Sequence, residues 1–296
     1  MDERVIMIGF DDLGNKGWLG NTMFQYASLR GISANKGYDF CIPPNDSSRV
    51  SNYLLHDVFK LFGLKYIDYI GKPTYRHSTS DDPCHSTTFN FNEKFFEECP
   101  DNVNISGFFQ SEKWFKHIEN EIKNDFTFKD YILNPCLKML DTFNIKPIFL
   151  HVRRNDYLKR SDYHYNLTLD YFEKALSFFD DDIPVLIFSD DIDWCKNQTI
   201  FDSDRFNFSE TGETLPSNSF IIDQGYEKGA LIPQFDLCLM TLCDGGIISN
   251  SSFSWWGAWL QNLRSRSIIC PNKNKWAGPK NKVDYSDIIP YDWEVI

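Results

Sequence analysis

The chain has 296 residues, 42% of them hydrophobic and 16% aromatic, which is enough apolar side chain for one large core or two ordinary ones. Its formal net charge of −12 excludes nucleic acid or an anionic membrane surface as a general partner, since both require a broad basic face, and leaves an anionic ligand only if a local basic pocket exists. Eight cysteines without a Cys-x-x-Cys pair read as reduced, buried thiols, and the apolar run from Val5 to Ile8 is too short for a secretion signal or a membrane span, so a cytoplasmic location is expected.

Val5 to Ile8 reads as a first strand, followed by a loop with glycines at 14, 17 and 20 and by helical spacing from Thr22 to Ala34. A strand, a Gly-rich loop and a helix start can offer free N–H groups to an anion. The spacing is neither Gly-x-Gly-x-x-Gly nor a P-loop, so a tight turn explains the glycines equally well. Tyr38 to Ile42 is a second strand and Leu54 to Phe62 a short helix. His77, Asp81, Asp82, Cys84 and His85 are metal-ligating types, but nothing in their spacing fixes a ligand geometry. Val103 to Phe108 is a strand; helices are expected from Ser111 to Phe126 and from Leu133 to Phe143.

The second half alternates strand and helix. Strands fall at Ile148 to Val152, Pro184 to Phe188, Arg205 to Phe208, Ser219 to Ile222, Gly246 to Ser249 and Ile268 to Cys270. Helices fall at Leu169 to Phe179, Ile192 to Asn197, Leu231 to Cys243 and Phe253 to Leu263. This is a doubly wound α/β pattern with a boundary near residue 140. Three strands end in polar clusters, His151 to Tyr157, Ser189 to Asp191 and Ser249 to Ser254, which share one sheet edge if the strands are parallel neighbours. Arg153 and Arg154 suit a diphosphate, because a guanidinium stays charged and binds in a planar fork; a surface ion pair with Asp156 or Asp162 is the simpler alternative. The run Ser249-Asn-Ser-Ser-Phe-Ser opens a helix and can cradle an anion or supply an N-cap. Asp190 and Asp191 could bind a divalent metal, cap the next helix or hydrogen-bond a sugar or base.

Gly17-Trp-Leu-Gly-Asn-Thr-Met-Phe-Gln-Tyr-Ala, Gly107-Phe-Phe-Gln-Ser-Glu-Lys-Trp-Phe, His151-Val-Arg-Arg-Asn-Asp-Tyr, Phe188-Ser-Asp-Asp-Ile-Asp-Trp and Ser249-Asn-Ser-Ser-Phe-Ser-Trp-Trp-Gly-Ala-Trp-Leu together resemble the α-1,2-fucosyltransferases of glycosyltransferase family 11. The resemblance implies a GT-B-like α/β fold of two Rossmann-type halves facing a cleft, with an acceptor-side domain over 1–140 and a GDP-fucose-binding domain over 141–296. It implies metal-independent, inverting transfer of fucose from GDP-fucose to the 2-hydroxyl of a galactose-terminated oligosaccharide or lipid-linked glycan, at most peripherally at the inner membrane. A catalytically silent glycan-binding module or another linkage are the alternatives. The donor-binding set so implied is Gly20, Asn21, His151, Arg153, Asp190, Asp236, Asn250, Ser251 and Ser252, with Asp236 reading guanine. The catalytic candidates are Arg153, Asp156 and His164, and the set includes no metal ligand or cofactor. The family usually has Gly at the position of Asn155 and Gln at that of Thr22. The first change is tolerable if Asn adopts left-handed backbone; the second shortens a side chain expected to face the acceptor.

Overall fold

In a computed structural model, residues 6–15, 17–43, 55–64, 89–209 and 233–296 are described. The chain divides into two compact units, residues 1–127 with 283–290 and residues 128–282 with 291–296. The division falls ahead of the boundary drawn near 140. The helix Asp130–Leu140 (α5) packs on the helix Pro233–Leu242 (α9), so it belongs to the second unit.

The first unit is built on three parallel strands, β1 (Met7–Gly9), β2 (Asp39–Cys41) and β3 (Val103–Asn104), in the order β2-β1-β3. Helix α1 (Leu19–Lys36) begins three residues earlier than the spacing from Thr22 suggested, because Leu19 and Gly20 are already buried in its first turn. It ends at Gly37 in left-handed conformation, φ 67°, the usual glycine stop. Short helices α2 (Leu55–Val58) and α3 (Glu93–Glu98) follow. The single helix expected from Ser111 to Phe126 is instead two 3-10 turns, Glu112–Trp114 and Lys116–Ile118, and then α4 (Glu119–Asp125). The turn at Trp114 lies hard against α1: a Cβ on Gly31 would sit 1.9 Å from the Trp114 carbonyl oxygen. Trp114 is fully buried in an aromatic cluster with Phe91, Phe95, Phe96 and Phe109. Below it Asp125, buried, accepts hydrogen bonds from Tyr26 Oη and Arg30 Nε, both at 2.9 Å, and from the Gly63 N–H.

The second unit carries six parallel strands: β4 (Ile148–Val152), β5 (Val185–Ser189), β6 (Phe206–Phe208), β7 (Gly246–Ile247), β8 (Ile268–Cys270) and β9 (Glu294–Val295). Their order is β6-β5-β4-β7-β8-β9. Numbered within the unit this is 3-2-1-4-5-6, the Rossmann order, whose direction of winding reverses between the first and fourth strands, here β4 and β7. β4 and β5 are buried along their whole length, so mainly apolar sequence, with His151 and Ser189 as the polar exceptions, marks them rather than alternation. Connecting helices are α6 (Asn155–Lys159), α7 (Leu169–Leu176), α8 (Ile192–Lys196), α9 and α10 (Ser252–Trp259). The core of this unit gathers Ile148, Leu150, Phe172, Val185, Ile187 and Ile247. The strand expected at Ser219 to Ile222 and the His77 to His85 group lie outside the described residues. All seven described cysteines are buried and free. No helix among the described residues is long and apolar enough to cross a membrane.

Candidate active site

The strands are parallel neighbours, the condition under which the three polar strand ends share one sheet edge. Val152 lies opposite Ser189 in the β4–β5 pairing, and Leu150 lies opposite Ile247 in the β4–β7 pairing. His151 to Tyr157, Ser189 to Asp191 and Ser249 to Ser254 therefore leave neighbouring strands, and the first and last flank the point where the winding reverses. In open α/β sheets that crevice, outside the carboxyl ends, is where ligands bind.

His151, on β4, is buried, and its Nδ1 lies 2.8 Å from Ser249 Oγ, across the reversal. Burial, with Arg153 nearby, pushes its pKa down to about 3, so the ring is neutral at physiological pH. Arg153 is held at two points. Its Nη2 is 2.8 Å from Asp156 Oδ1 and its Nε 3.4 Å from Asp190 Oδ2, while Nη1 has no partner among the described residues. Burial opposes its charge, but the ion pair it makes with Asp156 and the charge of Asp190 outweigh this and raise its pKa further. Arg154 is occupied: its guanidinium lies 3.7 Å from the Trp194 ring centroid and its Nε 3.1 Å from Asp191 Oδ2. The two arginines, alike in sequence, differ in what they leave for a ligand.

The two aspartates that follow β5 are both engaged by neighbouring backbone and side chains. Asp190 accepts the Arg154 N–H at 2.8 Å and the Asn155 N–H at 3.1 Å, which caps α6 from a neighbouring strand. Burial raises its pKa against the pull of Arg153. Asp191 is the N-cap of α8 and accepts the Trp194 N–H at 3.3 Å. Among the described residues no group of three or more His, Cys, Asp or Glu is arranged to hold a metal ion. Asn155 opens α6 and is not among the positive-φ residues, so this turn does not use the left-handed conformation that the departure from Gly seemed to need.

The Ser249 to Ser254 run forms a closed network. Ser251 is the N-cap of α10, accepting the Phe253 N–H at 3.3 Å, and its own N–H reaches the Ser249 carbonyl at 2.8 Å. Asn250 spends its amide on the Tyr165 and Trp276 carbonyls, at 2.9 and 3.3 Å, so it ties loops together rather than offering those protons to a ligand. The Ser252 hydroxyl has no partner among the described residues. Asp236, in α9, is buried; Ser209 Oγ donates to its Oδ1 at 2.7 Å, and burial pushes its pKa up to about 7. His164 is half-buried, and its ring is stacked on Tyr157 with centroids 4.1 Å apart. Burial lowers its pKa, Asp156 opposes this, and Arg153 and Arg160 reinforce it, so the imidazole is neutral at pH 7.

In the first unit, Gly20 and Asn21 lie in the opening turn of α1, not in a loop, and Asn21 Oδ1 accepts from Gln110 Nε2 at 2.6 Å. Gly17, φ 86°, is required where it stands, since a Cβ would meet Asn21 Nδ2 at 1.9 Å. Thr22 is 1% exposed and its hydroxyl hydrogen-bonds back to the Trp18 carbonyl at 3.3 Å, so it presents no side chain to a ligand, contrary to expectation. At the carboxyl ends of β1 and β3, Ser106 Oγ donates to Asp12 Oδ2 at 2.9 Å, and Asn104 holds both amide atoms out of solvent with no partner among the described residues. Asp12, Asn104 and Ser106 carry no sequence signal, because single polar residues at the ends of short strands form no pattern.

Residues 7–295 match the model of glycosyl transferase family 11, and the chain belongs to that family. It is 30% identical over 168 residues to the O-antigen biosynthesis glycosyltransferase WbnK of Escherichia coli, covering 53% of this chain and 49% of that protein, about half its length. It is 26% identical over 288 residues to an alpha-1,2-colitosyltransferase of Escherichia coli, covering 86% of this chain and 89% of that one. To the galactoside alpha-(1,2)-fucosyltransferase 1 of Rattus norvegicus it is 23% identical over 274 residues, 87% of this chain and 65% of that protein. The crystal structure of the fucosyltransferase NodZ from Bradyrhizobium is similar with a TM-score of 0.53 at 13% identity, over 86% of this chain and 93% of that chain, which shows the GT-B-like fold.

Proposed function

We propose that the chain is an inverting glycosyltransferase that moves fucose from GDP-fucose to the 2-hydroxyl of a terminal galactose, with the nucleotide bound by the second unit and the acceptor by the first. The observation that carries the reading is Arg153. It stands beside the reversal of the sheet, held by two carboxylates, with Nη1 left for a further acceptor. A diphosphate supplies that acceptor, and its negative charge grows as the sugar leaves, so a donor fixed in advance stabilises the transition state more than the ground state. The first turn of α10 and the Ser252 hydroxyl face the same task. Asp236 keeps Oδ2 without a partner among the described residues, which suits the donor edge of guanine.

Attack on the face opposite GDP inverts the anomeric carbon. Asp156, engaged with Arg153, is better suited to orienting it than to taking a proton. His164, neutral at pH 7, is the protein group suited to receive the acceptor proton, and the departing phosphate is the alternative. The reaction so drawn needs no metal. The names of the colitosyltransferase and of the rat fucosyltransferase support the 1,2 linkage. An O-antigen or capsule unit on a lipid carrier is the acceptor class this favours, which would place the enzyme at the cytoplasmic side of the inner membrane.

Calorimetric titration with GDP separates this reading from a silent glycan-binding module on the same fold: micromolar GDP binding supports the enzyme, while absence of GDP binding with retained galactoside binding supports the module. Colitose, which is fucose without its 3-hydroxyl, is a second donor sugar favoured by the 89% coverage of the colitosyltransferase. Comparison of kcat/KM for the two GDP-sugars decides between them.

A further inference from the structure

We propose that Tyr157 is a positioning residue that locks Arg153, His164 and the turn between β7 and α10 into one register. Tyr157 lies in α6, four residues beyond Arg153, whose guanidinium carbon is 5.6 Å from the centre of its ring. The ring also stacks on His164, with planes 9° apart. Its hydroxyl donates to the Asn250 carbonyl at 3.0 Å. One side chain thus touches a residue from the end of β4, a residue of the loop after α6 and a residue from the end of β7.

These contacts close on themselves. Asn250, whose carbonyl takes the Tyr157 hydroxyl, donates through its amide to the carbonyl of Tyr165, the residue next to His164. The His164 backbone is fixed by its N–H to the Arg160 carbonyl at 3.0 Å and by an antiparallel bridge to Ala277. With the backbone pinned, the stack on Tyr157 selects where the imidazole sits. Among charged side chains, Asp156 raises the proton affinity of that imidazole, and Arg153 and Arg160 lower it; the cover of surrounding side chains, the Tyr157 ring among them, lowers it most. Removing the ring therefore frees the imidazole and returns its titration toward the ordinary value, while removing only the hydroxyl loosens the β7–α10 turn and leaves the imidazole in place.

The inference rests on the donor-site reading of the second unit, but its primary readout does not. Proton NMR of the ligand-free protein follows the His164 ring, assigned by its loss in His164→Gln, across pH in the wild type, Tyr157→Phe and Tyr157→Leu. The wild type should show ring-current-shifted His164 protons and a midpoint below the usual histidine value. Tyr157→Phe should keep both and bind GDP about threefold to tenfold more weakly. Tyr157→Leu should lose the ring-current shift, move the midpoint upward and, with unchanged far-UV circular dichroism, lower kcat more than it raises KM for GDP-fucose. An unshifted His164 resonance in the wild type overturns the proposal without any variant. So does a folded Tyr157→Leu with a wild-type midpoint, or a Tyr157→Phe that loses the ring-current shift. If the wild type does not bind GDP, the functional reading falls while the NMR arms still decide the role of Tyr157.

Discussion

Replacing Arg153 by lysine keeps the charge and removes the geometry. The guanidinium reaches Asp156 through Nη2 at 2.8 Å and Asp190 through Nε at 3.4 Å, and still has Nη1 to give to a phosphate oxygen. A lysine ammonium is one point and cannot meet both carboxylates and the diphosphate in the same directions. The loss of one charge-assisted contact that strengthens in the transition state is about 2–4 kcal/mol, or roughly 30-fold to 1,000-fold in rate. Stability should change little, because the capping of α6 by Asp190 uses backbone N–H groups that the substitution leaves intact. The assay is steady-state transfer from GDP-fucose to a galactoside, with thermal unfolding measured alongside. A folded Arg153→Lys enzyme with near wild-type kcat/KM would refute the reasoning, and so would one whose activity falls only because it unfolds.

Asp190→Ala removes the acceptor for the Arg154 and Asn155 N–H groups; denaturant unfolding should show a loss of about 1–3 kcal/mol, with weaker GDP binding as Arg153 loses its Nε partner. His151 has a folded pKa of about 3, below its unfolded value near 6.5, so the unfolded chain takes up the proton first. Its contribution to stability is complete above about pH 6.5 and declines as pH falls toward 3, by up to ~1.4 kcal/mol per unit, and His151→Gln should flatten that part of the stability profile in urea titrations. Activity should persist in excess EDTA; abolition with rescue by manganese would return Asp190 and Asp191 to a metal-binding role.

The sequence disclosed the second unit better than the first. β4, β5 and β8 are short, mainly apolar runs, broken in β4 only by His151, and the structure places strands at these runs to within one residue. β9 escaped because Glu294 and Val295 are an exposed dipeptide at the sheet edge with no pattern to show. The break at Trp114 has no local signal in the sequence; the turn lies against Gly31, some eighty residues earlier, whose missing Cβ leaves room for the Trp114 carbonyl. At the site, residue types were legible and partnerships were not. Arg153 and Arg154 look equivalent until Trp194 and Asp191 are seen to hold the second, and Asp190 looks like a ligand until its oxygens are seen to cap α6. Hydrogen bonds between residues 35 to 100 positions apart leave no periodic trace.

The central claim is tested most directly by the product. The protein incubated with GDP-fucose and lactose, with EDTA present, should yield a trisaccharide whose NMR spectrum shows an α-anomeric fucose and a substituted 2-position on galactose. A different linkage would correct the acceptor geometry; release of no fucosylated product from either GDP-fucose or GDP-colitose, by a folded protein offered lactose and longer galactose-terminated glycans, would contradict the account.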